Sequence, residues 1–172
     1  MEKEYDDPVT GDFHAVSTAV EGEYYLRKNR LEEIVIFARR MRYRRLGIAF
    51  CVGFSREAEI LAGLLEKAGF EVSSVCCKIC AIMKDERGLQ KIDPNREEAI
   101  CNPVGQARAL QEDRTDLNIV LGLCVGHDSL FYRYSAAPVT TLVTKDRVLG
   151  HNPVAVLYSP YLCKKISADL EE

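Results

Sequence analysis

No stretch of this 172-residue chain stays apolar for the ~18 residues that a membrane span requires. The segment from Met1 to Gly11 is acidic and polar, so no secretory leader is legible there. A cytoplasmic location without membrane contact is therefore expected. Neither sign of charge dominates. The formal net charge is −3 and the pI is near 5.7, which argues against a nucleic-acid partner. The one basic run, Arg39-Arg40-Met41-Arg42-Tyr43-Arg44-Arg45, falls at the end of a predicted helix, where cations complement the helix dipole. The phosphate-binding patterns G-x-x-x-x-G-K-[ST] and G-x-G-x-x-G are absent, so no nucleotide motif is present. Low-complexity tracts and linkers are also missing. One domain spanning 1–172 is expected, with a helical extension over 1–45 and an α/β core over 46–164.

What the chain does have is seven cysteines. A cytosolic protein does not normally build a disulfide framework, and an odd count leaves one thiol unpaired. Their placement is not random. Leu46 to Phe50 reads as a strand and runs into Cys51-Val52-Gly53. Leu117 to Leu123 does the same and runs into Cys124-Val125-Gly126. A third strand, from Glu71, ends in Cys76-Cys77.

Two helices are predicted ahead of these strands, over 12–28 and 30–44, the second capped by Asn29 with Glu32 completing a capping box. Ser55 caps a helix that closes at Gly69. Residues 78–100 are irregular, with Gly88, Pro94 and many charges. Cys101-Asn102-Pro103-Val104 then gives a strong helix start, with Asn as cap and Pro in the first turn. A short helix is expected over 128–134 and a fourth strand from Val139 to Thr144. His151-Asn152-Pro153-Val154 repeats the helix-start pattern and predicts a last helix over 153–164. Alternating strands and helices imply a flavodoxin-like or Rossmann-like three-layer sandwich with a mostly parallel sheet of about four strands.

In such a sheet the strand ends and the following helix starts share one edge. Cys51, Cys77, Cys101 and Cys124 can converge there as metal ligands. Neighbouring strands are ~4.8 Å apart, a spacing that a cluster bridges. Adjacent residues of a strand face opposite ways, so Cys77 is preferred to Cys76. Cys76, Cys80, His127 and His151 are secondary ligand candidates. Gly53 and Gly126 let the backbone approach a bound group, and Asn102 and Asn152 start helices beside it. His127, Asp128 and His151 are the catalytic candidates, as proton donors or bases. Cys163 reads as structural. Four thiols on separate turns suit a [4Fe–4S] cluster. Zinc is the runner-up, but only Cys77-Lys78-Ile79-Cys80 shows a close ligand pair.

Several long motifs resemble one family. They are Gly47-Ile48-Ala49-Phe50-Cys51-Val52-Gly53, Ser74-Val75-Cys76-Cys77-Lys78, Cys101-Asn102-Pro103, Gly122-Leu123-Cys124-Val125-Gly126-His127-Asp128-Ser129-Leu130-Phe131, Ala137-Pro138-Val139-Thr140 and Lys145-Asp146-Arg147-Val148-Leu149-Gly150-His151-Asn152-Pro153. Over about 30–160 the chain resembles the family called domain of unknown function 1847, labelled a predicted metal-binding protein. The resemblance implies metal binding and supplies no reaction.

The reading that follows is a cytosolic metal- or iron–sulfur-binding protein with a redox, electron-transfer or metal-sensing role. Whether it is an enzyme is left open. Two alternatives stand beside it. One is a metal-free enzyme with Cys51 or Cys124 as nucleophile; the other is a small-molecule binding module. The expected partner is an unidentified redox protein or small molecule, with homo-oligomer formation left open.

Overall fold

The computed structural model describes residues 2–169. Its centre is a sheet of four strands: β1 (Arg45–Phe50), β2 (Glu71–Cys76), β3 (Leu117–Leu121) and β4 (Val139–Val143). All pairings are parallel, in the order β2-β1-β3-β4. Every residue of β3 is buried, as a central strand covered on both faces requires. β2 at one edge is only partly buried.

Six helices flank the sheet: α1 (Pro8–Tyr24), α2 (Arg30–Arg40), α3 (Ser55–Lys67), α4 (Pro103–Glu112), α5 (His127–Tyr134) and α6 (Pro160–Asp169). α3 carries the chain from β1 outwards to β2, whereas α4 and α5 carry it the opposite way. Right-handed crossovers then put α3 on one face and α4 with α5 on the other. α2 lies beside α3, where Arg39 donates to the carbonyl of Ala68 at 2.8 Å. This is the three-layer α/β sandwich expected from the sequence. The strand order reverses direction between β1 and β3, the position where such sheets bind ligands.

Caps set the helix starts. Asn29 and Glu32 form the expected capping box, with bonds of 3.1 and 3.0 Å. α1 begins earlier than its periodicity predicts, because Asp7 caps it by accepting the Thr10 N–H at 2.9 Å and Pro8 follows in the first turn. α2 stops at Arg40, since Arg42 takes a left-handed φ of 59° and turns the chain into β1.

Leu46, Ile48, Leu65, Leu110, Ile119 and Phe131 form the middle of the core and are fully buried. Each such side chain contributes about 1.5–3 kcal/mol by leaving water. Two polar side chains share this core, Gln106 and Asn118. Asn118 accepts from Thr115 Oγ1 and donates to Ser135 Oγ, both at 2.8 Å. Its partner across the ladder is Gly47, where a side chain would run into the Asn118 amide.

The last segment departs from expectation. Residues 153–158 form a 3-10 turn, and the α-helix begins only at Pro160. Asn102 and Asn152 share nearly the same backbone angles, φ −118° against −116° with ψ 73° in both. Asn102 Oδ1 accepts the Gly105 N–H at 2.8 Å, and a Cβ on Gly105 would stand 2.5 Å from Asn102 Nδ2. Ala155 occupies the matching place after Asn152, so its methyl blocks the same cap. Asn152 makes no side-chain capping bond.

Candidate functional site

The parallel sheet brings its strand ends to one edge, and the hydrogen-bond ladder continues one residue beyond the strands. The Cys51 N–H donates to the Leu121 carbonyl at 3.1 Å, and the Cys77 N–H to the Phe50 carbonyl at 2.8 Å. The Asn102 N–H donates to the Cys77 carbonyl at 2.8 Å, which draws Cys101 alongside. Gln106 of α4 fastens the same edge, donating through Nε2 to the carbonyls of Phe50 at 3.1 Å and Val75 at 2.7 Å. Gln106 is fully buried, and its Oε1 has no partner among the described residues.

Three thiols meet on this scaffold. Cys51 and Cys77 are buried and Cys101 is half-buried. Cys77 lies between Cys51 and Cys101, and the three thiols shift one another's protonation. The Val52 N–H donates to Cys77 Sγ at 3.3 Å, and Lys145 Nζ donates to Cys51 Sγ at 3.1 Å. Cys51 is drawn down to about 4, first by the Cys77 thiol and then by the Gly53 N–H and Lys145, against the opposing effect of burial. Cys101 is drawn down to about 5, first by Cys77 and then by the charges of Lys78 and His127, with burial opposing. Cys77 is pushed well above the ordinary thiol range by its bonds to Cys101 and Cys51 and by burial. The three thiols influence one another's protonation, with Cys51 and Cys101 drawn down and Cys77 pushed up.

The loop after β4 closes over them. Arg147 Nη2 donates to Cys124 Sγ at 3.2 Å. Cys124 raises the Arg147 pKa most, and Cys51 and Cys101 add to it. Phe54 anchors the loop, with its ring 4.7 Å from the His151 ring and 4.7 Å from Lys145 Nζ. The ring lies over Gly122, whose φ of 67° and missing side chain leave it room. Gln106 was not singled out from the sequence; a glutamine on the buried face of α4 beside Ala107 and Leu110 is the signal that marks it.

The other expected residues fall as follows. At Gly53 a Cβ would meet only Lys145 Nζ, at 3.4 Å. The Gly126 N–H goes to Asp128 Oδ1 at 3.0 Å, not to a sulfur. Asp128 also accepts the Ser129 N–H at 2.7 Å, so its carboxylate shapes the turn. Asn102 caps α4 beside Cys77, whereas Asn152 caps nothing through its side chain. His127 begins α5 and acts on Cys101 by its charge. His151 Nδ1 accepts the Asp146 N–H at 3.1 Å. Cys76 packs against the core, Cys80 is exposed, and the Cys163 thiol donates to the Val156 carbonyl at 3.3 Å. Among the described residues no three His, Cys, Asp or Glu side chains are grouped to hold a single metal ion. A cavity of about 310 Å³ lies elsewhere, between α1, α2 and the first residues of β3 and β4. No helix among the described residues is long and apolar enough to cross a membrane.

Residues 1–142 match the family described as protein of unknown function, DUF1847. The chain belongs to this family. It is 54% identical over 151 residues to the "Uncharacterized protein MJ0455" of Methanocaldococcus jannaschii, which covers 88% of this chain and 78% of that relative. It also resembles the crystal structure of Dph2 from Pyrococcus horikoshii at 20% identity and a TM-score of 0.37. That match covers 76% of this chain and 33% of the Dph2 chain, so this protein spans about a third of it.

Proposed function

We propose that Cys51, Cys77 and Cys101 hold an iron–sulfur cluster, a [4Fe–4S] cluster in the first instance, and that the protein serves electron transfer, redox sensing or cluster-dependent chemistry. The observation that carries this reading is that backbone hydrogen bonds at one sheet edge bring together Cys51, after β1, and Cys77 and Cys101, at the two ends of the β2–α4 connection. Sulfurs gathered at a buried edge, with a lysine and a backbone N–H donating to them, suit a bound metal centre. An all-sulfur donor set suits iron clusters or zinc. Four-iron clusters are held by Cys thiolates, which is why the cluster is put first. Zinc is the alternative metal. When bound, the cluster supplies one-electron chemistry. The chain's own part is to neutralise and orient: Lys145 and the Val52 and Gly53 N–H groups set positive charge against the sulfurs. Cys124 sits one loop away, engaged by Arg147. An unidentified redox protein is the proposed exchange partner.

A second reading has its own support. Lys145 beside a thiolate is also how a nucleophilic cysteine is activated, so a metal-free protein would use Cys51 as nucleophile. Reconstitution with iron and sulfide under oxygen-free conditions separates the two. About four irons per chain are expected for the cluster, lost on Cys51→Ser, Cys77→Ser or Cys101→Ser and kept on Cys80→Ser or Cys163→Ser. Equal loading of all five variants would count against the cluster. Failure to load, with one fast-labelling thiol at position 51, would favour the nucleophile.

A further inference from the structure

At the end of the sheet away from the thiols, α1, α2 and the first residues of β3 and β4 enclose a cavity of about 310 Å³. Small-molecule pockets run from roughly 300 to 1,000 Å³ and are mostly apolar with a few placed polar groups. This cavity has that make-up. Phe13, Val20, Ile34, Phe37, Leu117 and Val139 supply apolar wall, and the Phe13 and Phe37 rings meet edge-on at 4.9 Å. Glu33 supplies a carboxylate.

That carboxylate differs from the other acidic groups that are partly withdrawn from water. Glu32, Asp93, Glu98, Asp116, Asp128 and Asp146 are half-buried, and each accepts hydrogen bonds from a backbone N–H or a basic side chain. Glu33 is half-buried too, yet it has neither a hydrogen bond nor an ion pair among the described residues. The cation placed to pair with it is Arg30, three residues earlier on α2, a spacing at which charged neighbours meet. Arg30 turns instead to β4, where Nε donates to the Thr141 carbonyl at 2.6 Å and Nη2 to Thr140 Oγ1 at 3.0 Å. The start of α2 favours acidic residues, and Glu32 already serves it through the capping box.

The Glu33 carboxylate thus gives up part of its water to a cavity wall without gaining a protein partner. That costs free energy, and a cation inside the cavity recovers it. The two aromatic rings of the same wall suit a cation that carries an apolar body. We propose that the cavity binds a small primary amine, with its ammonium on Glu33 and its apolar body between α1 and the sheet. A free amine and an apolar amino acid share this chemistry. The site is separate from the thiols and independent of any metal there.

Calorimetry on the full chain tests it with three ammonium probes, isoamylamine, phenethylamine and L-leucine, and with isoamyl alcohol as the uncharged control. Saturable binding of at least one ammonium probe, in the millimolar range or tighter, is expected. Glu33→Gln should weaken it about ten-fold or more, the loss that goes with one charge-assisted hydrogen bond. Ser17→Phe, which fills the cavity from α1, should abolish it. Glu57→Gln, which removes an exposed carboxylate of α3, should change nothing. Leucine binding more tightly than isoamylamine identifies an amino acid as the ligand, and the reverse order identifies a free amine. Isoamyl alcohol binding as tightly as isoamylamine, full affinity in Glu33→Gln, or no saturable binding of any ammonium probe overturns the proposal. If Ser17→Phe fails to fold, Glu33→Gln and the alcohol decide without it.

Discussion

Lys145 Nζ stands 3.1 Å from Cys51 Sγ although 94 residues separate them in the chain. The contact joins the loop after β4 to the end of β1, across the point where the strand order reverses. It runs beside Gly53 and is positioned by Phe54, since the ammonium also lies 4.7 Å from the centre of that ring. Four consecutive residues, Cys51 to Phe54, thus supply a sulfur, an N–H for the neighbouring sulfur, a gap and an anchor. The consequences for the metal-free protein and for the fold can be measured separately.

The thiols give the metal-free protein a pH-dependent stability. Cys51 and Cys101 have folded values below that of an unfolded thiol, so their contribution is full above the unfolded value and fades as pH falls towards the folded one. Cys77 runs the other way: its contribution is full below the unfolded value and is lost as pH rises further. With an unfolded value of about 8.5, thermal midpoints should climb from about pH 5 to about pH 8 and turn down above about pH 9. Cys51→Ala should flatten the climb. A parent curve without slope over that range would contradict the assignment.

Gly122 should not tolerate a side chain. Its φ is 67°, and a Cβ there would collide with the Phe54 ring. Gly122→Ala combines left-handed strain with overpacking and should cost about 2–4 kcal/mol in urea unfolding. Because Phe54 carries His151 and Lys145, the same change should also disturb the loop over the thiols.

Gly63 predicts the opposite sign. It lies inside α3, and a Cβ there would meet nothing within 4 Å. Gly63→Ala should stabilise the protein by about 0.5–1 kcal/mol, through helix propensity alone. A loss of stability in the same urea titration would show that the α3 surface is in use.

Gln106 holds two carbonyls at the edge from beneath. Gln106→Leu keeps the volume roughly constant and removes both donors, so a loss of about 1–3 kcal/mol is expected by thermal unfolding. Iron uptake should fall with it, because Phe50 and Val75 position the residues that precede Cys51 and Cys77.

Much of this architecture is legible in the chain. The buried run Leu117 to Leu121 reads as a central strand because both faces must be apolar. Asn29 with Glu32, and Asn102 with Pro103, announce their helices through local chemistry. The three strand-end cysteines share an edge because parallel strands leave no other arrangement. What stays hidden depends on distant partners. Asn152-Pro153 looks like Asn102-Pro103 until the third residue after each asparagine is compared, Ala155 against Gly105. The roles of Lys145 and Arg147 depend on sulfurs 94 and 23 residues away, which no local pattern reveals. Cys124 reads like Cys51 in its Cys-Val-Gly turn. Its sulfur is likewise engaged by a cation of the loop after β4, Arg147, as that of Cys51 is by Lys145.

The most direct test of the central claim is iron, sulfide and zinc analysis with a visible absorption spectrum on protein purified without exposure to oxygen. The account predicts iron and sulfide in equal amounts and a broad absorption in the visible region, both lost in Cys77→Ser. Colourless protein that holds neither iron nor zinc, with Cys77→Ser indistinguishable from the parent, would contradict it.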